Sequence, residues 1–332
     1  MISRRSILRD LAIAGGASAL GIRAGAQAAE PPPETTRIRI ARFPFDLACL
    51  APMWIAEELL RGEGFDDVQY LTPASNAQYA AISAGALDIG ISDIFSILSR
   101  LDAGMPAVVL GGIHAGCFEL FAGSGVRSIR DLKGKTVVVA DLGRRAFVSA
   151  MLAHVGLDPR KDVTFLESPA REGIALLEEG KVDAVLGFPP EPYEMRARKI
   201  GVSIVNTATD RPWAQYFCCV AYSNREFVTK HPVATRRALR ALLKAADICA
   251  AEPERSARTL VERGFIKNAD YAVQTLREIP YKRWREFDSA DSLRFYALRL
   301  HEAGAIKSSP KELLARGTDW RFIEQIKREM KS

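Results

Sequence analysis

Two adjacent arginines, Arg144 and Arg145, stand where a helix is expected to begin, ahead of a helical stretch at 146–155. A cation at a helix N-terminus opposes the helix dipole. Such a placement points to use, for example a bidentate grip on a carboxylate or sulfonate; the plainer alternative is solvent exposure or pairing with Asp141. Glu191 follows a strand at 182–187, and Pro189-Pro190 stiffen the loop before it. Its carboxylate can take an ammonium or hydroxyl from a ligand, or pair with a nearby arginine. Ser75, Asn76, Ser92 and Asp93 each adjoin the start of a helix. Each can cap that helix, or can leave its free N–H groups to hold an anion. Asp46 can accept from a ligand amine or cap the turn before Pro52. Phe45 and Phe188, with Phe43, offer apolar walls.

The five cysteines are Cys49, Cys117, Cys218, Cys219 and Cys249, and the four histidines are His114, His154, His231 and His301. An odd number of cysteines excludes complete pairing within the chain, so buried thiols acting as small apolar residues are expected. No two histidines have close ligand spacing, and no metal or cofactor is expected. Gly116, Cys117 and Cys218 are candidate ligand contacts from the two segments that link the halves of the chain. Gly134-Lys135-Thr136 imitates the end of a phosphate-binding loop, but Ile129 occupies the position where that motif needs glycine. No Gly-x-Ser-x-Gly or His-Glu-x-x-His segment occurs.

These residues have to be held in place by an alternation of strands and helices. Strands are expected at 37–42, 68–71, 89–91 and 107–113, with helices between them from Pro52, at 76–84 and up to Gly104. The pattern restarts after 123–125, with strands at 136–140, 163–166, 182–187 and 203–205 and an extended segment at 216–222. A helical tail follows, strongest at 234–251, where Leu239, Leu242, Leu243 and Ala246 share a face. This implies an α/β fold of two lobes, each a parallel sheet covered by helices. The expected division is 37–118 plus 223–332 for lobe one and 119–222 for lobe two, with two hinge crossings at 117–124 and 215–224. Ligands of parallel α/β sheets bind beyond the C-terminal ends of the strands, the rule that selects the candidate residues above.

A chain of 332 residues has room for two such units. Its net charge of +6 is unevenly spread: 5 basic against 12 acidic side chains in 29–123, and 23 against 15 in 224–332. The basic residues of the tail alternate with acidic ones and form no aromatic-interleaved stripe, so nucleic acid is not expected as a partner. Residues 1–28 read as an export signal. Arg4-Arg5 form a twin-arginine pair. The apolar stretch at 11–20 is too short for a membrane helix, which needs about 20 residues, and Ala26-Gln27-Ala28 supplies a cleavage pattern. Residues 29–36 form a proline-rich leader. A periplasmic monomer without stable membrane insertion is the expectation.

Several short strings recur in one known group of proteins. They are 51–56 (Ala-Pro-Met-Trp-Ile-Ala), 84–90 (Ala-Gly-Ala-Leu-Asp-Ile-Gly), 104–108, 129–135, 156–159, 180–184, Glu191-Pro192 and 224–232. In this order and spacing the chain resembles the periplasmic binding proteins of nitrate, taurine and aliphatic-sulfonate uptake, a group that includes thiamine-pyrimidine-precursor relatives. The resemblance covers about residues 37–255. It implies a bilobed binding-protein fold of type II kind, no catalysis, and an ABC permease with its ATPase as partners. A small organic anion is the ligand class that Arg144 and Arg145 suggest. A heterocyclic thiamine-precursor-like solute, or an enzyme of the thiamine-pyrimidine-synthase type, are the alternatives.

Overall fold

The computed structural model describes residues 30–43, 46–73 and 77–330. The expected export signal and the candidate residues Phe45, Ser75 and Asn76 lie outside the described residues.

Ile38 and Ile40 are fully buried while the arginines between them are not, the period-two pattern of a strand with one face in the core. The strands in order are β1 (Arg37–Ala41), β2 (Asp67–Leu71), β3 (Ile89–Asp93) and β4 (Ala107–Ala115). Then come β5 (Glu119–Ala122), β6 (Lys135–Val139), β7 (Val163–Glu167), β8 (Ala184–Gly187), β9 (Val202–Asn206) and β10 (Phe217–Asn224). They form two five-stranded sheets, ordered β2-β1-β3-β10-β4 and β7-β6-β8-β5-β9.

Both sheets are mixed, not purely parallel as the alternation suggests. β10 runs antiparallel to β3 and β4, and β5 runs antiparallel to β8 and β9. The reason is the route of the chain. β4 ends at the cleft and crosses directly into β5, which therefore enters sheet two at the C-terminal ends of its parallel strands. β9 crosses back into β10 in the same way. β10 pairs with lobe-one strands from Phe217 to Asn224, so the expected limit of lobe two at residue 222 gives way to a crossing before Phe217. An extended segment looks the same in sequence whichever sheet it joins.

The helices are α1 (Pro52–Ile55), α2 (Glu57–Gly62), α3 (Gln78–Ser83) and α4 (Ile94–Asp102) in lobe one, then α5 (Leu142–His154), α6 (Ala170–Glu178) and α7 (Glu191–Arg198) in lobe two. The tail comprises α8 (Arg225–Lys230), α9 (Pro232–Ala251), α10 (Pro253–Glu262), α11 (Ala269–Glu278), α12 (Ser289–Glu302), α13 (Pro310–Gly317) and α14 (Arg321–Glu329). Leu239, Leu242, Leu243 and Ala246 of α9 are all fully buried. On its other side Arg240 donates from Nε to Glu63 Oε1 at 2.9 Å, tying the tail to the end of α2. The tail does not serve lobe one alone, because Tyr296 of α12 meets Phe95 of α4 and Phe147 of α5 edge-on.

The lobes are closed on each other. Phe95 and Phe147 stack at 3.8 Å with 13° between their planes. The first crossing turns at Gly116, where φ is +53° and a Cβ would lie 2.3 Å from Ala208 Cα on the second crossing. Only glycine accepts both that backbone and that approach. Thr207 Oγ1 then accepts from the backbone N–H of Phe118 at 3.0 Å and donates to the Phe118 carbonyl at 2.8 Å, joining the two crossings.

Candidate functional site

Two helix N-termini face each other across the cleft. In lobe one, β3 runs into α4 through Asp93, whose Oδ1 caps the helix by accepting from Ser96 N at 2.7 Å. In lobe two, β6 runs into α5 past Asp141, whose Oδ1 accepts from Arg144 N at 2.9 Å. Gly143 allows the approach: a Cβ there would lie 2.2 Å from Ser96 Oγ.

Between these termini is a cavity of about 240 Å³. Its walls are Phe43, Tyr79, Phe118 and Phe188, and its polar edge is Ser92, Asp93, Ser96, Arg100, Asp141 and Arg144, with Cys219 also exposed to it. The aromatic walls brace one another, since Phe118 lies 5.0 Å from Phe188 and 5.2 Å from Phe147. Tyr79 shares a 2.6 Å hydrogen bond with Ser92 Oγ, and the Arg100 guanidinium sits 3.6 Å above its ring. Burial pushes the Tyr79 phenol up to about 12, so it remains protonated at neutral pH. Burial also pushes Asp93 up to about 6; the Ser96 N–H opposes this, while Cys219 and Asp141 add to it. What exposure Asp93 has is toward the cavity.

The candidate residues separate into three groups. Ser92, Asp93, Arg144 and Phe188 line the cavity. Glu191 stands directly behind, accepting from Arg144 Nη1 at 2.8 Å, from Nη2 at 3.2 Å and from Phe188 N at 2.9 Å. Burial works against the Arg144 cation, and Glu191 and Asp141 more than offset it, so the guanidinium stays charged. Its grip is spent on the protein's own carboxylate, not left free for an anion. Arg145 points away: it pairs with Glu167 at 3.0 Å and lies over the Phe165 ring. Successive helical residues are about 100° apart, so neighbours cannot share one face. Asp46 is elsewhere too, its two oxygens accepting from Lys267 N and Asn268 N at 3.1 and 3.2 Å. It neither lines the cavity nor caps the turn before Pro52. Tyr79, Ser96, Arg100 and Phe118 were not singled out by the sequence, because each reads as an ordinary helix or strand position.

Gly116, Cys117 and Cys218 lie behind the cavity floor, in a thiol cluster. Cys117 Sγ and Cys218 Sγ are 2.9 Å apart, and Cys219 Sγ is 3.9 Å from Cys218 Sγ. Burial pushes the Cys117 and Cys218 thiols up. At Cys219 burial is outweighed by the Cys117 and Cys218 thiols and by His114, which hold it well below the ordinary thiol range. Burial lowers the imidazole of His114, and Cys219 together with the Ala115 and Gly116 backbone more than offsets it. His114 is fully buried, and its Nε2 has no hydrogen-bond partner among the described residues. Ligand atoms of His114, Cys117 and Cys219 all lie within 4.8 Å of one another. A donor set of one imidazole and two thiolates suits a soft ion such as Zn²⁺ or Cu⁺. The spacing of His114 and Cys117, three apart, points to a Cys/His pair, but Cys219 joins it from a strand about a hundred residues later, which spacing alone does not show.

The NMT1/THI5-like family matches residues 60–256, more than half of the chain. The chain belongs to the NMT1/THI5-like family. One curated relative is the 4-amino-5-hydroxymethyl-2-methylpyrimidine phosphate synthase THI13 of Saccharomyces cerevisiae, 23% identical over 235 residues. The match covers 66% of this chain and 66% of that protein, just under two thirds of its length. Among solved structures, the putative periplasmic sulfonate-binding protein SsuA of Methylobacillus flagellatus KT aligns with a TM-score of 0.67 at 19% identity, covering 90% of this chain and 95% of the other. The periplasmic nitrate-binding protein NrtA of Synechocystis PCC 6803 aligns with a TM-score of 0.71 at 15% identity, covering 90% of each. The NMT1/THI5-like chain therefore has the periplasmic-binding-protein fold, with two mixed α/β lobes.

Proposed function

We propose that this protein is the solute-capture component of an ABC importer, exported to the periplasm, and that it closes around a small planar heterocycle without performing chemistry on it. The observation that carries this reading is the cavity itself. It lies between two lobes, walled by four aromatic rings and edged by both donors and acceptors. Its 240 Å³ equals the volume of about eight waters, small for a ligand site and suited to a single ring with substituents. Phe43, Phe118 and Phe188 would hold the faces of the ring. Arg100 and Ser92 would donate to its nitrogen or oxygen acceptors, and Asp93 would accept from an amino group. A few polar groups in an apolar site give the orientation, and closure would present the occupied shape to a permease. The fold shared with sulfonate- and nitrate-binding proteins supports capture, and the pyrimidine named in the curated relative supports a heterocycle.

A second reading, an organic anion such as a sulfonate or carboxylate, is favoured by one observation. Arg100 lines the cavity without an ion pair among the described residues. Thermal unfolding against aminopyrimidines, alkanesulfonates, nitrate and carboxylates separates the two. A ligand at a hundred times its Kd adds about 2.7 kcal/mol of stability. Shifts with aminopyrimidines that disappear in Phe188→Ala support the first reading. Shifts confined to sulfonates or carboxylates and lost in Arg100→Gln transfer the conclusion to the second. Conversion of an aminopyrimidine or its precursor by the purified chain would replace capture with catalysis.

A further inference from the structure

We propose that Cys117 and Cys218 form an oxidation site in the hinge, converted by a peroxide into a disulfide that restrains the movement of the lobes. Cys117 lies on the first crossing and Cys218 at the start of β10, just past the second, 101 positions apart in sequence, yet their sulfurs approach to 2.9 Å. Cys117 is the residue after Gly116, where the first crossing turns. Cys218 is the second residue of β10, which is paired on both sides within sheet one. A bond between them would fasten the chain just past the pivot to lobe one, and rotation at Gly116 would stop.

Access comes through Cys117. It borders a separate depression of about 20 Å³, beside Pro192, Tyr193, Asn206 and Ala208, large enough for a molecule about the size of water. Hydrogen peroxide is the smallest two-electron oxidant that could enter there. The chemistry balances in two steps. The Cys117 sulfur attacks a peroxide oxygen, its S–H proton passes to the departing hydroxide as the O–O bond breaks, and Cys117 sulfenic acid and one water form. The Cys218 sulfur then attacks the Cys117 sulfur, the S–O bond breaks, and the disulfide and a second water form. Two thiols lose two electrons in all, and one peroxide gains them. Cys219 is a poorer partner for Cys218, because adjacent cysteines close a strained eight-membered ring.

The test uses the full chain, needs no knowledge of the ligand, and so stands or falls separately from the capture reading. The protein is treated with one equivalent of hydrogen peroxide, and thiols are counted in denaturant. The five thiols should fall by two, and peptide mass mapping should find Cys117 joined to Cys218. Amide hydrogen exchange at 116–118 and 207–216 should slow about tenfold and recover with dithiothreitol, as local opening is suppressed. Cys219→Ser should retain the cross-link, while Cys117→Ser and Cys218→Ser should abolish both the cross-link and the slowing. Cross-links through Cys219 or Cys49, over-oxidised Cys117 without a cross-link, or a cross-link that leaves hinge exchange unchanged would each overturn the proposal. The wild-type mapping decides the pairing even if a serine variant fails to fold.

Discussion

Gly143→Ala tests whether closure of the lobes is what binds the ligand. The added methyl would sit 2.2 Å from Ser96 Oγ, 3.2 Å from Asp141 Oδ1 and 3.5 Å from Asp93 Oδ1. Asp141 belongs to the same lobe as Gly143, so the severe contact is with lobe one and exists only when the lobes are shut. Ser96 can turn its hydroxyl aside, which holds the penalty to that of an overpacked site, about 1–3 kcal/mol. Charged to the closed state alone, this weakens binding by about 5- to 150-fold. The open state has no such conflict and gains up to about 1 kcal/mol of helix propensity in the first turn of α5. Calorimetry with the aminopyrimidine selected by thermal unfolding, beside denaturation of the unliganded protein, measures both quantities. Affinity should fall while unliganded stability holds or rises, and Ser96→Gly in the same chain should restore binding. An unchanged Kd, or a loss of unliganded stability equal to the loss in binding, would refute the reasoning.

Three further outcomes follow from the same geometry. Glu191→Gln strips the charge from the mostly buried partner of Arg144 and should cost about 3 kcal/mol by urea denaturation, with much of the loss recovered in Arg144→Met/Glu191→Leu. Asp93 is raised in the folded state, so between pH about 4 and 6 the folded chain holds a proton that the unfolded chain has released. Stability should therefore fall as pH rises through that window, by about 2–3 kcal/mol in total, and Asp93→Asn, which can still cap α4, should flatten the profile. Arg145→Ala removes an exposed pair with Glu167 and an exposed contact over the Phe165 ring, and should change stability by no more than about 1 kcal/mol and leave ligand binding intact in calorimetry.

Arg144 and Arg145 show how far the sequence can be read at the site. Both were candidates because both adjoin a helix start, yet one lines the cavity and the other covers Phe165. The helix begins at Leu142, ahead of the 146 expected from its apolar pattern, so the two arginines lie within its first turns. Asp93 was visible as a cap, and it caps; its position on the cavity edge follows from the strand-end rule applied to β3. Asp46 obeyed the same rule less well, because its loop turns toward Lys267 and Asn268 of the tail, a contact more than two hundred residues away.

Local chemistry thus decided a great deal without any structure. Alternating isoleucines placed β1, the apolar run at 107–113 placed β4, the leucine face placed α9, and the restart after 123–125 placed a second lobe. Those features depend on periodicity and on turn residues, whose effects extend only a few positions along the chain. The direction of β5 and β10, the pairing of Arg144 with Glu191, and the meeting of His114 with Cys117 and Cys219 depend on how the chain is brought together in space, with each crossing strand lying between two strands of its sheet. That choice is settled by burial summed over the whole chain, and no local pattern records it.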